Sequence, residues 1–304
     1  MRSDPRAAAN DLDRAASAFG DVRARLFGIA YRMLGSAAEA EDVVQDAWLR
    51  WQACDRDAVR DPPAFLATTT TRLAINAAQS ARARRETYVG PWLPEPVDTS
   101  ADPALGAERA EVLEVAVLLL LETLAPTERA AYVLREAFDY PYGEIAEILQ
   151  VREDNARQLV SRARRHVDGG RRVEVGEEEQ RRLLHAFLEA ARVGDLAGLE
   201  RVLAADVVSV TDGGGVAGAA RIRVAGRPRV ARFVAAFATK FWAGTTLTWV
   251  EANGQPAVLV TRDDGVVALL AVDASDEGIA GLRWTMSPAK LAGIGRATPR
   301  PAGG

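Results

Sequence analysis

Residues 142–167 read Tyr142-Gly143-Glu144-Ile145-Ala146-Glu147-Ile148-Leu149-Gln150-Val151-Arg152-Glu153-Asp154-Asn155-Ala156-Arg157-Gln158-Leu159-Val160-Ser161-Arg162-Ala163-Arg164-Arg165-His166-Val167. Ile145, Ile148 and Leu149 recur at helical spacing and predict a short helix with one apolar side. After a turn at 150–152, Ala156, Leu159, Val160, Ala163 and Val167 form the buried stripe of a second helix, Glu153 to His166. Asp154, Arg157, Gln158, Ser161, Arg164 and Arg165 fall on its outward face. The pattern is a helix-turn-helix. Asn155, Arg157 and Gln158 at its start suit base edges in a major groove. The arginines towards its C-terminal end suit phosphates. The same pattern also describes a plain solvated hairpin, and Gln150 stands where such turns often place glycine.

Outward from this motif, charge is segregated. The 304 residues carry 38 basic and 42 acidic groups, net −4, which excludes a uniformly basic nucleic-acid coat. Arg72 to Glu86 is net +3 and Arg152 to Arg172 net +4, while Glu95 to Glu114 between them is net −5. Two basic helical stretches joined by an acidic connector are therefore expected. No apolar run reaches membrane-span length, and the first ten residues lack a signal-peptide core, so a cytoplasmic chain with no membrane partner is expected. One cysteine, Cys54, and two histidines, His166 and His185, supply neither a disulfide framework nor a zinc site, so no metal and no cofactor is expected.

Towards the N-terminus, residues 15–60 read as two helices. The first carries Leu26, Ile29, Ala30, Met33 and Leu34 and ends at Gly35. The second opens on a Ser36…Glu39 capping box. Ala40, Val43, Val44, Ala47, Trp48 and Trp51 make its apolar stripe, and Glu39, Asp42 and Asp46 the opposite side, with Gln45 beside them. That acidic face is a dock for a basic helical partner, or an ordinary solvated face. Asp61-Pro62-Pro63 starts a third helix, Ala64 to about Glu86. Its Thr68 to Thr71 are helix filler or hydroxyls for a nucleic-acid strand. With Arg72, Arg82, Arg84 and Arg85 they make a basic, polar platform.

Gly90-Pro91-Trp92-Leu93-Pro94-Glu95-Pro96 cannot be helical. It makes residues 89–107 a linker, one whose Trp92 and Leu93 call for a docking place. Glu108 to Thr123 and Pro126 to Phe138 read as helices leading into the quoted motif, and Gly169-Gly170 closes the region. After a helix at Glu178 to Val193 and a short one at Leu196 to Leu203 come β-like runs: Val207 to Val210, Arg221 to Val224, Thr245 to Glu251, Ala257 to Thr261, Val266 to Val272 and Gly281 to Met286. A helix at about Arg229 to Phe241 intervenes. The order predicts an α+β domain with a curved antiparallel sheet. The tail after Gly293 reads as disordered.

These residues resemble a known family. Ala38-Glu39-Ala40-Glu41-Asp42-Val43-Val44-Gln45-Asp46-Ala47-Trp48-Leu49-Arg50 resembles the polymerase-binding segment of bacterial sigma factors of the extracytoplasmic-function group. Phe65 to Arg85 sits where their −10 helix lies, and Leu124-Ala125-Pro126 through Val167 resembles their −35-binding domain. Tyr88-Val89-Gly90-Pro91-Trp92-Leu93-Pro94-Glu95-Pro96, Gly194-Asp195-Leu196, Asp212-Gly213-Gly214-Gly215 and Ser287-Pro288-Ala289-Lys290-Leu291 resemble the signatures of a subgroup with a SnoaL-like, nuclear-transport-factor-2-like extension. The neutral Asn76-Ala77-Ala78-Gln79 departs from the charged middle usual in the −10 helix. Val216 departs from a lysine after the glycines, and Ser287 and Ala289 depart from Asn-Pro-Asp-Lys-Leu.

The resemblance implies a multidomain chain: two all-α helical domains, sigma region 2 and a helix-turn-helix region 4, then an α+β cone-shaped SnoaL-like domain. The boundaries are 11–88, the linker 89–107, 108–168, 178–293, and the disordered tail 294–304. It implies core RNA polymerase as partner through Glu39, Asp42, Gln45 and Asp46. The −10 element, as duplex and melted single strand, would meet Thr69, Arg72, Asn76, Gln79, Arg82, Arg84 and Arg85. The −35 duplex would meet Asn155, Arg157, Gln158, Ser161, Arg162, Arg164 and Arg165. Regulatory contacts in cis would use Trp92, Leu93, Pro94, Asp212 to Gly215 (Asp212, Gly213, Gly214, Gly215) and Lys290. The C-terminal domain, with no tyrosine, no cysteine and only His185, offers few groups for acid–base work, so no catalytic residue and no enzyme activity is expected. It could bind an unidentified small ligand. The alternative is a stand-alone, ligand-sensing DNA-binding regulator; it would need one DNA-binding module, whereas the sequence has two basic ones.

Overall fold

The structure is a computed structural model that describes residues 5–99, 113–171, 175–216, 219–263 and 265–294. These residues form two compact units. The first takes the chain to Arg84, with Leu113 and Val117 to Gly170; the second takes Arg85 onward through the linker, residues 114–116, and everything from Arg171.

In the first unit α1 (Pro5–Gly20), α2 (Arg23–Leu34), α3 (Ala37–Ala53) and α4 (Pro62–Glu86) come first. Three helices therefore occupy the N-terminal stretch that reads as two. The Trp51 indole donates to the Ala15 carbonyl at 3.1 Å and ties α3 to α1. Gly35 ends α2 in the left-handed region, and the Ser36 hydroxyl accepts from the Glu39 amide to start α3, as the capping pattern expects. Leu26, Ile29, Met33 and Leu34 of α2 and Ala40, Val43, Val44 and Trp51 of α3 are buried. Trp48 is only half-buried, set on Phe19 with ring centroids 5.0 Å apart.

Next come α5 (Val115–Glu122), α6 (Pro126–Glu136), α7 (Tyr142–Leu149) and α8 (Glu153–Gly170). The helix expected from Glu108 starts at Val115, after a turn at Leu113-Glu114; residues 108–112 lie outside the described residues. The α8 stripe Ala156, Leu159, Val160, Ala163 and Val167 is buried as the spacing predicts. Gln150 caps α7 at φ 55°, taking the left-handed turn position without being glycine. Helix α2 packs against α6, so both helical modules share the unit.

The second unit holds α9 (Glu177–Val193), α10 (Leu196–Val202), β1 (Leu203–Asp212), β2 (Val224–Ala225), α11 (Arg227–Ala236), α12 (Ala238–Phe241), β3 (Thr245–Ala252), β4 (Gln255–Arg262), β5 (Gly265–Ser275), β6 (Gly278–Thr285) and α13 (Pro288–Leu291). The strand order is β2-β1-β6-β5-β4-β3. The sheet is not wholly antiparallel: β1 runs parallel to β6, with Asp212 opposite Thr285. The long excursion from β1 through α11, α12 and the β3–β5 meander brings the chain back beside β1 in the same direction, as a hairpin cannot. β1 starts at Leu203 rather than Val207, β2 is two residues long, and the helix expected over 229–241 breaks at Phe237.

Alternation along β4 and β5 sorts two cores. Val258, Val260, Leu270 and Val272 face α9 and α11 through Leu184, Phe187, Val230 and Val234. Ala257, Leu259, Leu269 and Ala271 face the other way and are also buried, with Leu291 and Ile294. A sheet apolar on both faces needs two covers. Part of the second is the linker: the Val97 amide donates to Asn253 Oδ1 at 3.2 Å, the Asn253 amide returns to the Val97 carbonyl at 2.9 Å, and Asp98 bridges to Ala252. Ile294, assigned by its sequence to a disordered tail, packs in this core; residues 295–304 lie outside the described residues.

Candidate functional site

Three exposed helix faces and one buried clasp gather the sequence candidates. On α3, Asp42, Gln45 and Asp46 are exposed, while Glu39 is partly covered and paired with Arg84 of α4. A shallow cavity of about 180 Å³ beside this face is lined by Phe19, Arg23, Glu41, Val44, Gln45 and Trp48.

On α4, Arg72, Asn76, Gln79 and Arg82 are exposed and Thr69 half-buried, at spacings that put them on one side of the helix. The threonine platform needs correction. Thr70 and Thr71 are fully buried, with hydroxyls lacking a partner, so they belong to the core and only Thr68 and Thr69 reach the surface. Arg72 is already engaged: its Nε donates to the Ile148 carbonyl at 2.9 Å and its Nη2 to the Glu147 carbonyl at 3.2 Å, at the end of α7. Arg129 of α6 does the converse. Buried, it donates to the Met33 carbonyl at the end of α2 at 2.5 Å and pairs with Glu122 at 2.7 Å. Burial, and then Arg82, pull its guanidinium down to about 10. Each arginine satisfies carbonyls orphaned at a helix end. Arg85 is turned away from such a face, its guanidinium 3.8 Å from the centre of the Trp92 ring.

On α8, Asn155, Arg157, Gln158, Ser161, Arg162, Arg164 and Arg165 are all exposed. A concavity runs over Arg157, Gln158, Ser161, Arg162 and Arg165. Arg157 pairs with Glu153 and lies over the Tyr142 ring at 4.6 Å; Arg162 pairs with Glu128 at 2.8 Å and Arg164 with Glu136 at 2.6 Å. The Glu136 hydrogen bond raises the Arg164 pKa.

The clasp lies in the second unit at the end of β1. Asp212, fully buried, accepts four hydrogen bonds. Its Oδ1 takes the Tyr88 hydroxyl at 2.5 Å and the Gly214 amide at 3.2 Å; its Oδ2 takes the Leu93 amide at 2.8 Å and the Lys290 ammonium at 2.7 Å. Lys290 also donates to the Leu93 carbonyl and stands 4.5 Å from the Trp92 ring centre and 5.2 Å from that of Tyr88. One carboxylate and one ammonium thus hold both backbone groups of Leu93, itself 1% exposed. Burial lowers the Lys290 pKa, with Asp212 opposing. Burial, then the Asp212 hydrogen bond, raise that of Tyr88. Gly214 sits at φ 55°, and a Cβ there would lie 2.7 Å from Ser287 Oγ, so conformation and space both require glycine.

The clasp joins Trp92, Leu93, Asp212, Gly214 and Lys290 from the sequence candidates, while Pro94 lines a small cleft beside it with Pro96, Leu269 and Thr285. Sequence reasoning did not assign roles to Tyr88, Asn253, or Thr99, which donates to Glu251 at 2.6 Å. Their signal was the doubly apolar pattern of β4 and β5, which demands a second cover. In the second unit, Thr211, Phe233, Val234, Phe237, Phe241, Trp242, Trp284 and Met286 line a cavity of about 80 Å³. His185 and Asp206 are exposed.

Comparison with known proteins follows the same division. The family Sigma-70 region 2 matches residues 19–84, and Sigma-70, region 4 matches residues 114–167. The ECF RNA polymerase sigma factor SigJ of Mycobacterium tuberculosis is 38% identical over 233 residues, 75% of this chain and 74% of that one. The probable ECF RNA polymerase sigma factor SigI of Mycobacterium tuberculosis is 31% identical over 92% of this chain and 95% of its own length. The crystal structure of Mycobacterium tuberculosis extracytoplasmic function sigma factor SigJ superimposes with a TM-score of 0.74 at 31% identity, covering 93% of this chain and 100% of that one.

Proposed function

This chain belongs to the extracytoplasmic-function group of RNA polymerase sigma factors with a C-terminal SnoaL-like domain, and from that premise we propose how its surfaces divide the work of promoter-specific initiation. The exposed acidic side of α3, with Asp42, Gln45 and Asp46, docks on core polymerase. The α4 row of Thr69, Arg72, Asn76, Gln79 and Arg82 meets the −10 element and its melted strand. The outward side of α8 enters the major groove of the −35 duplex, with Arg157 and Gln158 at bases and Arg162, Arg164 and Arg165 at phosphates. Such work is done in the cytoplasm, and the chain acts as a non-enzymatic factor.

The C-terminal domain regulates in cis. The observation that carries this is the clasp: Asp212 and Lys290 grip the backbone of Leu93 in the segment that joins the two helical modules. A domain that holds the linker in one arrangement shifts the population of arrangements available to polymerase, provided it binds them unequally. The aromatic cavity begins one residue from the clasp, at Thr211, and supports a ligand-responsive form of this control.

A core-polymerase pull-down followed by run-off transcription tests the reading. Wild type should bind core and initiate at discrete promoters. Asp212→Asn and Lys290→Ala should change transcript yield without abolishing core binding. Yields equal to wild type for both variants would leave the clasp structural only, and no core binding by wild type would remove the whole assignment.

A further inference from the structure

Between Asp212 and Glu251 the chain has no acidic residue and six basic ones: Arg221, Arg223, Arg227, Arg229, Arg232 and Lys240. Within a chain of net charge −4 this is a concentrated positive segment. Arg221, Arg223, Arg229 and Arg232 are exposed, and among the described residues none of the four is in an ion pair. Three of the exposed arginines of α8 differ, since Arg157, Arg162 and Arg164 each have a glutamate partner; Arg165 does not.

Local stability does not account for the arrangement. Helix α11 begins at Arg227 with Arg229 in the same turn, no acidic residue there, and no side-chain cap from Gly226. The positive end of the helix dipole disfavours cations at that position. Guarding an edge strand accounts for only half. Arg221 and Arg223 lead into β2, which is the sheet edge, and charge there deters edge pairing. Arg229 and Arg232 lie on the helix that follows rather than on the edge strand itself. Arg232 donates its Nε to the Pro228 carbonyl at 2.9 Å, but no carboxylate offsets these charges among the described residues, and a local rule broken with no compensating charge points to use rather than packing.

We propose that Arg221, Arg223, Arg229 and Arg232 form a third nucleic-acid surface of this protein, binding the phosphate backbone of duplex DNA without reading sequence. Residues 219–238 contain only alanine, arginine, isoleucine, valine, glycine, proline and phenylalanine. The patch therefore offers guanidinium forks suited to phosphates. It has no amide or hydroxyl side chain with which to distinguish bases. The charge complementarity is to a polyanion, and the family's business with promoter DNA makes duplex DNA the one at hand. An acidic protein surface would make a different use of the patch, because Ile222, 72% exposed between Arg221 and Arg223, would be buried with it.

The test uses the full chain and a labelled duplex of arbitrary sequence, with anisotropy titrations across a salt series. Arg229→Ala/Arg232→Ala should reduce the slope of log affinity against log salt by about 1.8, at roughly 0.9 for each phosphate no longer neutralised. Affinity at low salt should fall about tenfold, while the melting temperature stays the same or rises. Ile222→Ser should leave both slope and affinity unchanged. An unchanged slope in the arginine variant overturns the proposal, and so does a loss of core-polymerase affinity that Ile222→Ser reproduces. Arg157→Ala in the same series reports on α8 separately, so failure of the patch is distinguishable from failure of the −35 assignment.

Discussion

The Lys290 ammonium stands 2.7 Å from Oδ2 of Asp212, with the carboxylate wholly buried and the lysine side chain 13% exposed. Such a pair is costly to desolvate and holds only when its remaining hydrogen-bonding capacity is met. Here it is met by the linker, through the amide and carbonyl of Leu93, and by the Tyr88 hydroxyl and the Gly214 amide. The ion pair and the linker's position are therefore one structural fact.

Asp212→Ala should destabilise the second unit by about 3–5 kcal/mol, because it leaves the ammonium and the Leu93 amide buried without their acceptor. Urea unfolding followed by tryptophan fluorescence measures this. Lys290→Met, which removes the charge but keeps the stem, should cost less. Additive effects in the double variant would show that the two groups are not coupled.

Tyr88 gives the clasp a pH signature. Its pKa is raised above the ordinary 10.0 by burial and by Asp212. A group whose folded-state value is raised stabilises fully below the unfolded value, and that contribution is lost as pH rises through the folded value. The contribution of the Tyr88 hydroxyl to the clasp should thus be present below pH 10 and lost as pH rises further. In ultraviolet titration, wild type minus Tyr88→Phe should show a phenol ionising above 10, and Asp212→Asn should bring it back toward 10. A Tyr88 that titrates normally in wild type would mean that the hydroxyl is not held.

Asp42→Lys/Asp46→Lys tests the polymerase face. Both residues are exposed, so thermal stability should change by less than about 0.5 kcal/mol. Core-polymerase affinity should drop at least tenfold, with the loss reduced at high salt. Unchanged affinity removes α3 from the interface.

Arg72 links its own proposed DNA row to the end of α7. Arg72→Ala should destabilise the first unit by about 1 kcal/mol, the usual net value of such hydrogen bonds. Hydrogen exchange should quicken in α7, whose Glu147 and Ile148 carbonyls it holds. Unaltered exchange would mean that the contact is not maintained in solution, leaving Arg72 free for promoter DNA.

The helical modules were legible because their signals are local. Ser36 and Glu39 mark one helix start, Gly35 one helix end, and the Ala156-to-Val167 stripe follows from periodicity alone. What was not legible depends on pairing across long separations. Nothing in Leu203 to Asp212 announces a parallel partner at Ile279 to Thr285. Thr70 and Thr71 look polar and are buried because a helix carrying so many alanines leaves small side chains to fill its packed side. The clasp was half-visible: Trp92 and Leu93 called for a dock, and Asp212 and Lys290 stood out by resemblance. That Tyr88 and the Leu93 backbone complete the site required the fold.

The recognition helix offers the sharpest separation of roles. Arg157 is held in place by its own unit, paired with Glu153 one turn earlier and lying over Tyr142 at 4.6 Å. Arg165 is held only by an Nε contact to the Ser161 carbonyl at 3.4 Å and has no carboxylate partner among the described residues. A preoriented fork near the helix start suits a guanine edge; a loosely held one near its end suits a phosphate. Arg157→Ala should therefore relax preference at one base pair of the −35 element, costing about 1–3 kcal/mol there and little elsewhere. Arg165→Ala should weaken all sequences equally and lower the salt slope by about 0.9. Glu153→Gln, which frees Arg157 without deleting it, should lower discrimination while leaving nonspecific affinity equal or higher. Systematic base substitution across the −35 duplex, titrated at two salt concentrations, reads all three. Matching profiles for Arg157→Ala and Arg165→Ala would show that position along α8 does not sort base contacts from phosphate contacts.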